Sequence, residues 1–482
     1  MDVGAPINSF YPARYTAGLQ AMLAVNTSLF EFVPRTGNQK PVLKGILVST
    51  WTLSMNRKVL TLNLRSGLQF SNGEPMTAED VAHSLNVPDR FGLNGTAFVH
   101  ATAVGNLTVQ IQLSKPEQVF PETLSDTAAF PILPKKVLER EGEVKFGQHP
   151  VGMGPFMLKS ASSGNAVLTF VRNPYYTHIQ EGQPYLDTLV LNTVESDSAR
   201  ILGVRSGSAQ VAQEVPYDQV PTLKSTPGVK VLIGPLWGAS YITYNRNKAP
   251  YNELNVRKAL QYATPREEII QTVYKGIGKV PNALGGELEY WNPNSPTFTY
   301  NIAKAKELLK HSSVPNGFNM TINASSGESQ GELVASILQS SYAKIGVYVT
   351  IQAQPISTIA SEALESGKFD FIIWPPEGGY SNWYTPDAIY KFMISNEYKQ
   401  PYLLPHASAK IISKLQTARE SNSPAEREKL FGEIEYQTYF EEALFIPGVT
   451  LVTINLVSES VRGFQAIPNL SVRWNEVWLN NA

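Results

Sequence analysis

The side chains best suited to holding a small molecule are aromatic. Trp237, Tyr241 and Tyr244 stand just ahead of Asn245, and Trp374, Tyr380, Trp383 and Tyr384 cluster where glycine and proline break an apolar run. Aromatics at a strand's C-terminal end offer flat apolar faces with polar tips, the chemistry of a ligand cleft. Glu377, in Pro375-Pro376-Glu377-Gly378-Gly379, adds a carboxylate on a loop whose length and glycines suit a site better than a simple connector. The same spacing also serves core packing and domain interfaces, and both readings stay open at this level.

Catalytic signatures are missing one after another. No HExxH occurs, and His83, His100, His149, His178, His311 and His406 never fall three or four apart, so no local metal pair exists. Gly278-Lys279 has Val273 where a phosphate-cradling loop needs glycine, and Gly152-Met153-Gly154 lacks the third glycine of a dinucleotide fingerprint. No G-x-S-x-G elbow appears. Glu267-Glu268 and Glu441-Glu442 are adjacent, so on a helix each pair points about 100° apart and reads as solvated surface. A chain with 0 Cys has no disulfide, thiolate metal site or thiol nucleophile.

These residues need positioning elements, and the pattern supplies them. Leu60, Leu62 and Leu64 alternate as in a half-buried strand, and Asn72-Gly73 is a tight-turn signal. Thr77-Ala78-Glu79-Asp80 has the form of a capping box opening a helix with Val81 and Leu85, ended by Pro88. Residues 167–171 alternate, Asn173-Pro174 breaks the strand, residues 186–194 form another, and 196–206 a helix stopped by Gly207. Further on, Val256, Ala259, Leu260 and Ala263 make a helical stripe. Thr264-Pro265-Arg266-Glu267 and Ser423-Pro424-Ala425-Glu426 read as helix starts. Leu333, Ile337 and Ile345 mark a helix stopped by Gly346. A strand at 347–352, a helix ending near Gly367 and the run 369–374 follow. Strands alternating with helices predict an α/β fold.

Composition bounds the function. The 482 residues amount to about three domains' worth of chain. With 40 basic against 41 acidic residues there is no excess charge for a phosphate backbone, so a nucleic-acid partner is not expected. Charged residues are 17% against roughly 25% in ordinary soluble domains, while 43% are hydrophobic, enough for sizeable cores. The most apolar stretch, 444–457, is broken by Pro447, Gly448, Thr450, Thr453 and Asn455, so no membrane span is expected. Met1-Asp2-Val3-Gly4 shows neither basic nor apolar signal region. The chain is therefore expected to be cytosolic or an exported protein without its signal sequence.

One stretch has a wider likeness. Leu60-Thr-Leu-Asn-Leu-Arg-Ser-Gly-Leu-Gln-Phe-Ser-Asn-Gly-Glu-Pro-Met-Thr-Ala-Glu-Asp-Val81 closely resembles the signature of the family 5 extracellular solute-binding proteins, the peptide/nickel-type receptors of ABC importers. Val151-Gly-Met-Gly-Pro-Phe156, Arg172-Asn-Pro-Tyr-Tyr176, Pro184-Tyr-Leu-Asp187, residues 245–263 and Lys368-Phe369-Asp370 resemble further family segments in order. The resemblance implies a bilobal periplasmic-binding-protein fold of the large type. Lobe I would comprise 1–40, 151–241 and 447–482 with a subdomain inserted at 41–150; lobe II would be 242–446, with hinges near Ile242 and Ile446. It further implies capture of a polar solute, an oligopeptide or else a sugar- or opine-type compound, by hinge closure. ABC permease subunits would be the partners, the location extracytoplasmic, the chain monomeric, with no cofactor, metal or catalysis. Asn26, Met153, Trp237, Tyr241, Tyr244, Asn245, Trp374, Glu377, Tyr380 and Trp383 are the expected ligand-binding residues. Glu377 departs from the spacing that family peptide receptors use to hold a peptide's amino terminus. A hydrolase with non-local carboxylates is the competing class.

Overall fold

The computed structural model describes residues 1–3, 7–12, 18–33, 42–87, 96–125, 127, 130–281, 296–326, 329–374, 407–465 and 472–480. The chain divides into two units, one of Met1–Gly234 with Thr453–Ala482, the other of Pro235–Val452. It passes from one to the other inside the strands Val229–Tyr244 and Ile446–Ser458.

The first unit holds a mixed sheet and a smaller antiparallel one. In the mixed sheet the C-terminal half of Ile446–Ser458 is followed by Val211–Ala212, Asp2–Val3, Thr188–Thr193, Val167–Arg172 and Phe156–Ala161. Asp2–Val3 runs parallel to both its neighbours, while the outer pairs are antiparallel. Met22, Val25, Phe156, Phe170, Leu191, Val457 and Trp474 pack as one apolar cluster beneath it. The smaller sheet runs Val48–Leu53, Val59–Leu64, Thr108–Leu113, Phe98–Val104.

Its sequence signals are met in detail. Leu60, Leu62 and Leu64 all point into a core shared with Val109, Ile111 and Leu113. Burying each such leucine contributes about 1.5–3 kcal/mol, which sets the strand's register because a one-residue slip would expose all three. The helix Ala78–Asn86 covers that face with Val81 and Leu85. Its capping box is formed as expected, with the Thr77 amide donating to Asp80 Oδ2 at 2.9 Å. Asp80 also accepts from the Lys135 amide at 3.0 Å, so the cap ties a second helix, Lys135–Gln148, to the first.

The second unit is built on the sheet Val347–Gln354, Phe318–Ser325, Phe371–Ile373 and the end of Val229–Tyr244. The first three strands are parallel and the last antiparallel, so helices must supply the returns. Ser329–Ala343 is the crossover between the two longer parallel strands. Val256, Ala259, Leu260 and Ala263 are fully buried, the expected stripe of Leu254–Ala263. Ser423 caps Pro424–Tyr436 by accepting from the Glu426 amide at 3.2 Å. Thr264 behaves differently from expectation. Its hydroxyl does not cap the following helix, Arg266–Thr272, but donates back to the Leu260 carbonyl at 2.8 Å and meets the Tyr342 hydroxyl at 3.0 Å. Burial of Thr264 places it beside these partners and away from the next helix's free amides.

Buried arginines staple this unit. Arg266 donates from Nε to the Pro447 carbonyl at 3.1 Å and from Nη1 to the carbonyls of Gln261 and Phe298 at 3.0 and 3.3 Å. Arg257 reaches the Glu442, Tyr251 and Asn252 carbonyls in the same way. A guanidinium suits such places because five fixed donors satisfy several chain-end carbonyls at once. No described helix is long and apolar enough to cross a membrane.

Candidate functional site

Two of the family-like segments, 151–156 through Pro155 and 172–176 through Tyr176, reach one cavity of about 250 Å³ in the first unit. The helix Leu19–Val25 ends at Asn26, and Asn26 and Thr27 enter the wall before the strand Phe30–Val33 adds Glu31 and Val33. Gly152 and Gly154 press on that helix end, and the Gly154 amide donates to the Val25 carbonyl at 2.9 Å. A Cβ on Gly154 would lie 2.5 Å from the Val25 carbonyl carbon and 2.6 Å from the Asn26 nitrogen. The glycine pair thus permits backbone-to-backbone approach.

Asn173 is the knot of the next wall. Fully buried, it donates from Nδ2 to the Gly154 carbonyl at 2.9 Å and accepts at Oδ1 from the Tyr175 amide at 2.9 Å. Its side chain makes an Asx turn, which Pro174 favours, and the turn swings Tyr176 into the cavity. His178, Glu181 and Gln183 continue along the same wall, and the carboxy-terminal residues 472–476 close it.

Charge is concentrated at one point. Arg473 donates from Nη2 to Glu31 at 3.0 Å and from Nη1 to Glu476 at 2.9 Å, one guanidinium held by two carboxylates. Both pairs are half-buried, where charge-assisted hydrogen bonds are stronger than on an open surface. The three groups together carry one excess negative charge. Burial first, and the neighbouring Glu31 carboxylate second, hold the Tyr176 phenol well above its ordinary range, so it remains a neutral hydroxyl. Asn475 Nδ2 donates to Gln183 Oε1 at 2.8 Å, and His178 Nδ1 lies 3.1 Å from Glu181 Oε1 at the rim. The described residues hold no group of three or more His, Asp or Glu arranged for a metal ion.

The ten expected ligand residues are distributed unevenly. Asn26 lies on the cavity wall, its Nδ2 3.7 Å from Met22 Sδ. Met153 is buried in the core of the smaller sheet with Leu60, Val81 and Leu85. In the second unit Tyr244 is buried, stacks on Tyr251 with centroids 6.3 Å apart and donates its hydroxyl to the Ala443 carbonyl. Asn245 donates to the Gly367 and Phe369 carbonyls at 2.8 and 3.3 Å and so fastens a strand end. Trp374 is buried in the helical core, and its Nε1 donates to Thr243 Oγ1 at 2.9 Å. Trp237 and Tyr241 lie in the strand Val229–Tyr244, with side chains outside the described part. Glu377, Tyr380 and Trp383 lie outside the described residues.

Glu31, Tyr176, Gln183, Arg473, Trp474 and Glu476 were not among the expected residues. Tyr176 stands in a quoted motif and Gln183 directly precedes one, so both could have been found there. Nothing local marks Arg473, which meets Glu31 across 442 positions of sequence.

The chain is thus a mixed α/β protein of two units, linked by two strands, with a polar cavity in the first unit, the architecture of a binding protein. Residues 42–400 match the model of the bacterial extracellular solute-binding proteins, family 5 (middle), and the chain belongs to that family. The glutathione-binding protein GsiB of Salmonella paratyphi A (strain ATCC 9150 / SARB42) is 26% identical over 454 residues, covering 90% of this chain and 86% of that one. HbpA2 of Haemophilus parasuis superposes with a TM-score of 0.84 at 22% identity, over 99% of both chains. The periplasmic binding protein DppA of Helicobacter pylori, in complex with the peptide STSA, gives 0.81 at 22% identity, over 100% of this chain and 97% of that one. The fold is accordingly that of the periplasmic binding proteins, and the family's role is solute binding.

Proposed function

We propose that this chain is the extracytoplasmic receptor for a peptide or peptide-like solute, which it delivers as a monomer to ABC permease subunits without chemically altering it. The family match over residues 42–400 carries this reading. The names of GsiB and DppA, a glutathione-binding protein and a protein holding the peptide STSA, support the solute class. The cavity's carboxylates, guanidinium and neutral phenol suit a ligand with both donors and acceptors.

The test is a thermal-shift panel of di- to pentapeptides, glutathione, oligosaccharides and opine-type conjugates. A ligand at a hundred times its Kd stabilises the folded state by about 2.7 kcal/mol, a rise of a few degrees in Tm. Mass spectrometry of solute released by mild denaturation should recover it intact. Peptides that leave Tm unchanged while sugars raise it would refute the solute class; turnover of a chromogenic glycoside or peptide would refute the receptor reading itself. Gel filtration at an apparent mass near twice 53.1 kDa would refute the monomer.

A further inference from the structure

We propose that the outer face of the smaller sheet docks on the surface of an anionic phospholipid bilayer. The proposal goes beyond the receptor reading, since it concerns where the chain sits and not what it holds.

Charge is the first observation. Residues 48–65 and 96–118, which build this sheet and its turns, hold Arg57, Lys58, Arg65 and Lys115, in a chain whose net charge is −1. Their one acidic residue, Glu117, is fully buried and accepts from the Ala97 amide at 2.7 Å. Asp89 and Arg90, just upstream, add no net charge. Glu74 and Glu79, before and within the covering helix, are paired with Arg140 and Lys135 at 3.8 and 3.5 Å. The surface charge of the sheet is therefore positive, and it stands at both ends. The Leu113 amide donates to the Lys58 carbonyl at 2.7 Å, which sets Lys58, Lys115 and Arg57 at one end. Arg65 marks the other, its Nε donating to the Ile46 carbonyl at 2.8 Å.

Between those ends the strands carry no Asp, Glu, Lys or Arg. On the side away from the core, Thr52, Thr61, Gln110 and Thr102 form one row across the sheet. In the next row Asn63 Nδ2 donates to Thr50 Oγ1 at 2.9 Å, and Thr108 Oγ1 donates to Asn63 Oδ1 at 3.2 Å. Thr50, Thr52, Thr102 and Gln110 are exposed. At about 4.8 Å between strands and about 3.4 Å per residue, the face measures about 14 Å by 20 Å. Its hydroxyls and amides can bond phosphate and ester oxygens over a broad surface, without the groove that a single polymer chain needs.

Met55 decides which anion fits. It stands in the turn beside Arg57 and Lys58 and is 102% exposed, an apolar side chain left wholly in water. A soluble polyanion would neutralise the cations and leave Met55 where it is. A bilayer surface takes both, offering phosphates to the cations and interfacial hydrocarbon to the methionine.

The experiment sediments the full chain with vesicles of phosphatidylcholine containing about one-third phosphatidylglycerol, or of phosphatidylcholine alone. Binding to the anionic vesicles only is expected at about 0.1 M salt, where the Debye length is about 10 Å, and its loss at about 1 M, where it is about 3 Å. Each cation near such a surface is worth about fivefold in affinity, so Arg57→Gln with Lys58→Gln should weaken binding about 25-fold. Met55→Ser should weaken it about tenfold. Gln110→Glu sets a carboxylate in the middle of the face and should weaken it at least about fivefold. Lys306→Gln with Lys310→Gln removes exposed cations of the other unit and should bind like the parent. Equal binding to phosphatidylcholine alone, unchanged binding of the Arg57/Lys58 variant, or equal weakening by the Lys306/Lys310 variant overturns the proposal. Failure to bind either vesicle overturns it too, and heparin binding in that case assigns the cations to a soluble polyanion. The solute panel reads the receptor role separately. A chain that binds solute but no vesicle loses this surface alone, and one that binds vesicles but no solute loses the receptor reading alone.

Discussion

Replacing Asn173 by alanine should loosen the cavity wall and the first unit together. The substitution deprives the Gly154 carbonyl of its donor and the Tyr175 amide of its acceptor, both at 2.9 Å in the native chain. The site is fully buried, so water does not replace either partner freely. At about 1–3 kcal/mol for each group left unsatisfied, the loss is about 2–6 kcal/mol. For a unit of this size, at about 2 °C per kcal/mol, that corresponds to a fall in Tm of about 4–12 °C, read by scanning calorimetry. Asn173→Asp separates the two bonds. It keeps the acceptor facing Tyr175 but sets a carboxylate oxygen against the Gly154 carbonyl, so it should be at least as unstable at pH 7 and recover as the carboxyl takes up a proton in acid. An alanine variant within 1 °C of the parent, or an aspartate variant matching it at pH 7, would refute the view that this side chain knots the two motifs.

Other consequences are as direct. Gly154→Ala should cost more than about 3 kcal/mol because its Cβ meets backbone at 2.5 Å, whereas Gly67→Ala, at φ +76° with open space around it, should cost only the left-handed strain of about 1–2 kcal/mol; urea midpoints compare them. Arg266→Met removes the guanidinium from the Pro447, Gln261 and Phe298 carbonyls; the Gln261 carbonyl keeps the Thr264 amide, so two carbonyls lose their guanidinium donor at a cost of about 2–6 kcal/mol. Arg266→Lys should recover less than half, since one ammonium cannot span all three, and full recovery in urea unfolding would contradict the stapling role. Burial raises the phenols of Tyr176, Tyr244, Tyr251 and Tyr342 well above 10. The unfolded chain loses those four protons near pH 10 while the folded chain keeps them, so stability is present below pH 10 and falls above it. Four phenols give about 5 kcal/mol per pH unit, and absorbance at 295 nm should show them ionising only as the chain unfolds. Four phenols titrating near 10 in the folded protein would negate this.

The local pattern carried far in the smaller sheet and less far around the cavity. Leu60, Leu62 and Leu64, the Thr77–Asp80 cap and the Ser196 and Ser423 helix starts were all readable, because each signal and its effect lie within a few residues. Thr264 misled for the opposite reason. Its spacing to Glu267 is that of a cap, but burial beside Tyr342 redirects the hydroxyl. Tyr244 and Trp374 read as cleft aromatics, yet the local pattern cannot tell an aromatic facing a ligand from one facing Ala443 or Thr243, since either can stand at a strand's end or directly after it.

By itself the sequence determined the α/β class, the family and the receptor role, since strand and helix periods and the Leu60–Val81 and Arg172–Asp187 motifs are local, contiguous patterns. Only the tertiary structure decided which residues face one another in the cavity. Glu31, Tyr176 and Arg473 come from a strand after the first helix, an Asx turn and the carboxy-terminal segment. Their meeting depends on Asn173 and the two glycines bringing separate backbones into contact. Such contacts are set by packing across hundreds of residues, and no periodicity along the chain encodes them.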